Sequence, residues 1–264
     1  MRARWAVVMC LACVVAGRGA TAAETAGDRL TVLNAQSVLR YRMAYRTPVL
    51  VTASGDVKTP VVGREPRPMT AFRDAPPAAG WDAPGYNDAD WSRGRAPVEV
   101  PMWTRYNRGG LLIANTGNIL CVRGKFVVAD PADVKDLRVS VTYAGGAVVR
   151  VNGREIARGH LPAGALGPDI CAERYPDDVF LDGEGYLTID MKKEKERLAR
   201  RIRRLGDVAV PPGVLRKGLN VVAVELRRSA VSEALLTAKR RRMPVSSRIW
   251  GWRRSKSRRS RARP

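Results

Sequence analysis

The chain has 264 residues, with 47 Lys or Arg, 25 Asp or Glu and a formal net charge of +22. The charge is uneven, because Arg227–Pro264 contributes +13 and Met191–Leu205 contributes +6. The rest of the chain is close to neutral, which argues against a folded body that binds nucleic acid. The length suffices for one sizeable core and excludes two large domains followed by a long tail.

The N-terminal residues 1–23 are typical of an export signal. Arg2 and Arg4 precede the apolar segment Trp5–Ala16, and Ala20-Thr21-Ala22 is a small-x-small cleavage site. The apolar run is too short to span a hydrocarbon layer of about 30 Å. We therefore expect a cleaved signal peptide, a periplasmic or extracellular protein, and no transmembrane segment after cleavage.

Two of the four cysteines lie in this leader, which leaves Cys121 and Cys171. In an exported protein the two can form a disulfide, and the alternative is a pair of separate buried thiols. The sequence leaves both open. Neither has a second Cys or His at ligand spacing, so the pattern does not indicate a metal site.

The central part of the chain predicts a hairpin. Apolar residues alternate over Leu137–Tyr143, which is the period of a half-buried strand. A second strand is predicted over Ala147–Val151 and a third over Arg154–Ala157. They are separated by Asn152-Gly153, a pair that tolerates the positive φ of a type I′ turn. The other predicted strands are Leu39–Thr52, broken at Thr47-Pro48, Leu120–Ala129, and Leu215–Leu226, which begins with a turn at Gly218-Leu219-Asn220.

One helix is predicted over Met191–Leu205. Asp190 is placed to cap it, Gly206 to end it, and Leu198, Ile202 and Leu205 form a narrow apolar stripe. We expect its basic face to be solvated. Many short strands with one helix indicate an antiparallel β-sandwich.

Three motifs lie along residues 39–229 of the chain. Their residues are Trp81, Asp88, Asp90 and Trp91; Asn152, Gly153, Glu155, Ile156 and Ala157; and Gly218, Asn220, Ala223, Val224 and Glu225. Together they resemble the galactose-binding-like jelly roll, the sugar-binding domain of glycoside hydrolase family 2, and the overall pattern is similar to exported proteins of planctomycete-type bacteria. The resemblance implies an all-β, antiparallel jelly-roll β-sandwich with one inserted helix.

The C-terminal segment departs from this family pattern. A further strand is expected after Ala230, but Ala238–Pro264 is strongly basic and has no strand period. We expect residues 230–264 to form a disordered basic tail. A frameshifted reading of a GC-rich gene would look similar, which is a hypothesis that implies a further domain missing at the C-terminus.

The sequence does not indicate an enzyme. His160 is the single histidine, and no nucleophile motif accompanies it. Pairs of acids occur at Asp177-Asp178, at Asp182 with Glu184 and at Asp88 with Asp90, but in turn-like sequence where Asp bonds to the backbone. Asn87, Asp88 and Asp90 are weak calcium candidates, because their oxygens lie close together. We otherwise expect no cofactor.

The resemblance and the aromatic loops favour carbohydrate as the partner. Sugar binding needs aromatic rings that stack on the sugar and polar groups that bond its hydroxyls. The predicted ligand-binding residues in loops are Trp103, Tyr106, Asn107, His160 and Tyr175. We expect an exported, non-catalytic carbohydrate-binding module. The alternatives are the N-terminal accessory part of a truncated, beta-galactosidase-like glycoside hydrolase, and a polyanion-binding protein acting through its tail, without specific nucleic-acid recognition.

Overall fold

The computed structural model describes residues 11–16, 29–52, 54–58, 73–96, 117–186, 195–234 and 238–239. These residues form mainly antiparallel β-strands, as the sequence predicts. The strands are β1 (Leu11–Ala16), β2 (Arg29–Leu33), β3 (Val38–Tyr45), β4 (Leu50–Val51), β5 (Val57–Lys58), β6 (Ser92–Arg95), β7 (Gly117–Val128), β8 (Arg138–Tyr143), β9 (Gly146–Val151), β10 (Arg154–Gly159), β11 (Arg203–Ala209) and β12 (Gly218–Arg227).

The strands form a six-stranded sheet in the order β10-β9-β12-β7-β3-β6 and a four-stranded sheet in the order β11-β8-β1-β2. A small third sheet pairs β4 with β5. The predicted hairpin is confirmed, because β9 and β10 pair across Asn152 and Gly153, whose φ angles are 50° and 84°. The predicted alternation is also confirmed in β8, where Val139, Val141 and Tyr143 are almost fully buried.

The main hydrophobic core lies between the two larger sheets. The four-stranded sheet contributes Val139 and Val141, and the six-stranded sheet contributes Val122, Val149 and Val224, all at most 1% exposed. Their β-branched side chains suit a pleated surface with one buried face. The two sheets therefore share one core.

The other face of the six-stranded sheet is also covered. Trp81 and Trp91 pack there against Cys121 and Ala223, with the two indole rings 5.8 Å apart. We call Gly80–Trp91, which holds both rings, the Trp segment. Because of this cover, the central strands β7 and β12 are buried on both faces.

The predicted helix over Met191–Leu205 is largely wrong. In the described part of this range the helix α1 covers only Lys195–Ala199, and Arg203–Ala209 forms strand β11. Leu205 pairs with Val141 of β8. Pairing along β8 outweighs the local helical preference, which is a weak influence compared with tertiary contacts. Residues 190–194 lie outside the described residues. The described residues also include three short 3-10 turns, at Pro131–Asp133, Asp177–Val179 and Pro212–Val214.

Both predicted terminal segments are partly described. Leu11–Ala16, from the predicted leader, is strand β1 and pairs with β8 and β2. At the other end Val231 and Ala238 are each 3% exposed, so the packed body continues past Ser229. Cleavage and export stay predictions, and residues 240–264 of the basic tail lie outside the described residues. Within the described chain, no helix is long and apolar enough to cross a membrane.

Candidate functional site

A small polar cleft lies where three neighbouring strands of the six-stranded sheet end together. Tyr45, at the end of β3, pairs with Gly117 at the start of β7, and Arg227, at the end of β12, pairs with Ile119. The residues next to these strand ends therefore meet. The cleft has an open volume of about 220 Å³ and is lined by Arg46, Thr47, Pro48, Val49, Asn118, Cys171, Arg228, Ser229, Ala230 and Val231.

Arg46 is the buried cation of this cleft, with a side chain only 8% exposed. Its guanidinium donates to Asp169 Oδ1 at 3.2 Å, to the Pro168 carbonyl at 3.5 Å and to Cys171 Sγ at 3.3 Å. Asp169 is mainly bound elsewhere, because both of its oxygens accept from Arg73 at 2.6 and 2.7 Å. The loop that carries Pro168 and Asp169 thus fixes the Arg46 side chain.

The cleft is also lined by Asn118, Arg228 and Ser229. Asn118 Nδ2 donates to the Pro168 carbonyl at 3.3 Å, and Arg228 Nη1 donates to the Gly117 carbonyl at 3.3 Å. The Ser229 hydroxyl donates to a loop carbonyl at 2.7 Å, which leaves its oxygen lone pairs directed elsewhere. Burial lowers the pKa of Arg228 to about 10, so the side chain is still a cation at neutral pH.

The two cysteines have different surroundings, and both are thiols in the structure. Cys121 is buried under the Trp segment, whereas Cys171 is half-buried at the cleft. Burial raises the pKa of both thiols, and the charge of Arg46 opposes this at Cys171. Neither is therefore an activated nucleophile at neutral pH. The disulfide between them stays a prediction.

His160 and Tyr175, two of the predicted ligand-binding residues, lie outside the cleft. The His160 ring bonds through Nδ1 to the Tyr143 hydroxyl at 3.0 Å, and its backbone has a positive φ of 57°. The Tyr175 hydroxyl accepts from the Gly145 amide at 2.7 Å, and the Arg203 guanidinium covers its ring at 4.0 Å. A sugar could stack on that face only after Arg203 moved away.

Three further predicted ligand-binding residues, Trp103, Tyr106 and Asn107, lie outside the described residues. The cleft residues themselves were missed by the sequence reasoning. Arg46 directly follows strand β3, and Arg228 directly follows strand β12. The sequence indicates that each arginine lies next to the end of a strand. It does not indicate which strand ends lie next to each other in the fold.

The calcium candidates are engaged with other groups. Both Asp88 oxygens bind cations, Arg123 Nε at 2.8 Å and Lys125 Nζ at 2.8 Å. Asn87 Oδ1 accepts from the Ala89 amide, and Asp90 pairs with an exposed arginine. Across the described ranges, no group of three or more His, Cys, Asp or Glu side chains could hold a metal ion. A calcium ion here would have to displace the two cations from Asp88.

The other acid pairs are engaged in structural contacts. Asp177 accepts from a serine hydroxyl at 2.7 Å, and Asp178 accepts from Arg200 at 2.8 Å. Asp182 Oδ1 closes a turn by accepting the backbone amides of Glu184 and Tyr186. The cleft lining includes arginine, amide and hydroxyl donors and no carboxylate.

No protein-family model and no curated protein matches the chain. Among solved structures, the chain is similar to a beta-glycosidase from Bacteroides vulgatus, at 16% sequence identity over 57% of this chain, with a TM-score of 0.30. The chain covers 15% of that protein's length. A likeness at this TM-score assigns neither fold nor function.

Proposed function

We propose that the chain is an exported, non-catalytic carbohydrate-binding module with a galactose-binding-like jelly-roll fold. The observation that supports this function is the cleft at the ends of β3, β7 and β12. Its donors Arg46, Asn118 and Arg228 are already fixed by loop and strand carbonyls. Donors that are held in place before binding lose little freedom when a ligand arrives.

The cleft lining also includes four apolar residues, Pro48, Val49, Ala230 and Val231. A sugar ring has polar hydroxyl edges and apolar C–H faces, so a lining of mixed polarity is compatible with it. The volume of about 220 Å³ includes open solvent, so the cleft is a shallow surface feature and does not enclose a whole ligand. A sugar bound here would lie across its mouth.

The absence of a carboxylate from the cleft lining supports a non-catalytic role. Glycoside hydrolysis uses two carboxyl groups on opposite sides of the bond that breaks. Asp169, the nearby acid, is bound to Arg73 and Arg46. The cleft can hold a sugar by these contacts but has no acid pair to cleave it.

Binding of the full chain to an array of neutral and acidic oligosaccharides, followed by titration calorimetry, tests the function. Asn118→Ala removes one donor, so we expect roughly fivefold to tenfold weaker binding. Thr142→Ala, a half-buried polar residue of the other sheet, is the matched control and should bind normally. Thermal unfolding of both variants checks that they are folded.

A double variant, Trp103→Ala with Tyr106→Ala, tests whether these two aromatic residues, which the sequence predicts to bind the sugar, contribute to its affinity. If the cleft binds the sugar alone, this variant keeps its affinity, and the two predicted residues are removed from the site. A folded chain that binds no glycan on the array would overturn the proposed function.

A further inference from the structure

Strand β1 lies inside the four-stranded sheet, although it belongs to the predicted leader. It pairs on one side with β8, where Cys13 is opposite Val139, and on the other side with β2, where Cys13 is opposite Leu33. The predicted leader ends at residue 23, which lies between β1 and β2 in the chain. Cleavage of the exported chain would therefore remove a strand that has a neighbour on each side.

The two strands that flank β1 are each held by other contacts. β8 pairs on its other side with β11, over residues 138–143. β2 continues into β3 through a turn in which the Asn34 side chain accepts the amides of Gln36 and Ser37. β3 in turn pairs with both β6 and β7 of the six-stranded sheet. Neighbouring strands lie about 4.8 Å apart, so loss of β1 leaves a slot about 10 Å wide between β8 and β2.

Strand direction disfavours closure of this slot by β2. β1 is antiparallel to β8 and also to β2, so β8 and β2 run parallel to each other. If β2 moved next to β8, the two would form a parallel pair, which is slightly less stable per residue than an antiparallel pair. A strand that runs opposite to both keeps antiparallel pairing on each side. The slot is therefore matched to an extended segment in the place of β1.

The strands on either side of the slot contribute buried apolar residues to the core. Val139 and Val141 of β8 are fully buried, and Leu33 of β2 is 6% exposed. Residues that lie directly opposite each other in a sheet share a face, so an occupant presents alternate residues to this core. The strand now in the slot reads LACVVA and contains no charged residue. A charge at a core-facing position would be costly to bury.

We propose that, after leader cleavage, the slot between β8 and β2 binds an extended, uncharged apolar strand of a partner protein, antiparallel to both. The inference rests on the export that is part of the proposed function. Main-chain hydrogen bonds to two strand edges provide affinity, and apolar residues at alternate positions provide specificity. In the uncleaved chain β1 fills the slot, so the partner strand is excluded until cleavage.

The N-terminal sequence of the exported protein is the first measurement, and we expect a mature chain that begins near Glu24. This mature chain should bind a synthetic peptide of residues 10–17, with Cys10→Ala, Cys13→Ala and two lysines added at its C-terminal end for solubility. The full chain, in which β1 is present, is the matched control. It should bind the peptide at least about tenfold more weakly in titration calorimetry.

Three results would each overturn the inference: an exported chain that keeps residues 11–16, a mature chain that does not bind the peptide, or equal binding by the mature and full chains. If the mature chain is unfolded alone, the peptide should restore a cooperative unfolding transition, and failure to do so also overturns it. Sedimentation gives a further check. A dimer of the mature chain that excludes the peptide would assign the slot to a second copy and not to a partner protein.

Changes in the peptide test the pairing register without altering the protein. A peptide with Cys13→Asp places a charge opposite Val139 and Leu33, so it should bind at least about tenfold more weakly. Gly17→Asp, one residue beyond β1, is the matched control and should have little effect. Equal losses for the two peptides would show non-specific apolar contact and overturn the inference.

Glycan binding by the same mature chain is measured separately, so the two proposals fail independently. Retained glycan binding without peptide binding would overturn the slot and leave the carbohydrate-binding function standing. Peptide binding by a mature chain that binds no glycan would have the opposite meaning.

Discussion

Replacing Asp88 by Asn tests the ion pair that fixes the Trp segment to the six-stranded sheet. The Asp88 side chain is 5% exposed and accepts hydrogen bonds of 2.8 Å from Arg123 and 2.8 Å from Lys125. The Arg123 side chain is fully buried and also donates to the carbonyls of Trp81 and Ala83. A neutral amide in place of the carboxylate leaves the Arg123 cation buried without its anion.

We expect Asp88→Asn to lower the free energy of unfolding by about 3–5 kcal/mol, the usual cost of removing one partner from a buried pair. That is a large part of a typical total of about 5–15 kcal/mol. The melting temperature should fall by about 6–20 °C. Asp90→Asn is the matched control in the same turn. The Asp90 side chain is 69% exposed, so its pair with Arg42 should contribute at most about 1 kcal/mol.

Urea unfolding followed by tryptophan fluorescence measures both variants, and pH gives a second readout. Burial raises the pKa of Asp88, but hydrogen bonds and charges from Lys125 and Arg123 outweigh it and hold that pKa below 3.8. The stabilisation is therefore complete above the ordinary pKa and is lost as pH falls through the lower, folded-state value. The difference between wild type and Asp88→Asn should shrink there. A loss no larger than that of Asp90→Asn would refute this reasoning.

Two further predictions concern a tightly packed glycine turn and the pH dependence of stability at His160. Gly145→Ala should cost about 2–5 kcal/mol, because φ is +84° and the added Cβ would lie 2.1 Å from the Arg227 carbonyl oxygen. Gly164→Ala, with a similar φ and open space, should cost only about 1–2 kcal/mol in urea unfolding, and equal losses would contradict the steric argument. Burial and the Arg203 charge lower the pKa of His160, so wild-type stability should fall as pH drops through the range below 6.5. Asparagine tolerates the positive φ of residue 160, so His160→Asn should keep the fold and remove this pH dependence of stability. If the urea midpoint of the variant depended on pH as that of the wild type does, His160 would not be its cause.

Local signals in the sequence predicted the strands well. The Asn152-Gly153 turn is determined by the φ preference of two adjacent residues, so no distant contact was needed. The Gly218-Leu219-Asn220 segment was predicted as a turn but begins β12. Its turn character is nevertheless real, because Asn220 bonds through its side chain to both the amide and the carbonyl of Arg216.

The failures depend on long-range contacts. Nothing near Leu205 shows that it will pair with Val141, about sixty residues earlier in the chain. The cleft was missed for the same reason, since Arg46, Asn118 and Arg228 are distant in sequence and meet only because three strands end together. Contacts of this kind depend on sheet order, which local patterns do not determine.

Several arginines of the folded body donate to the carbonyls of an irregular loop. The loop from His160 to Tyr186 has little regular structure, so its carbonyls need donors from elsewhere. Arginines from the strands and from the segment before β11 supply them. Arg227 donates to the carbonyls of residues 166, 167 and 170, and Arg203 to those of residues 145, 173 and 174. Arg201 similarly donates to the Val179 carbonyl.

These contacts change the interpretation of the predicted basic helix. Its side chains were expected to be solvated, yet Arg201 and Arg203 are half-buried and bond to loop carbonyls. Burial lowers the pKa of Arg201 to about 10, which is the cost of placing a cation among neutral dipoles. Part of the positive charge of this chain therefore holds its loops in place. The same arrangement recurs at Arg46, which donates to the Pro168 carbonyl, and at Arg228, which donates to the Gly117 carbonyl.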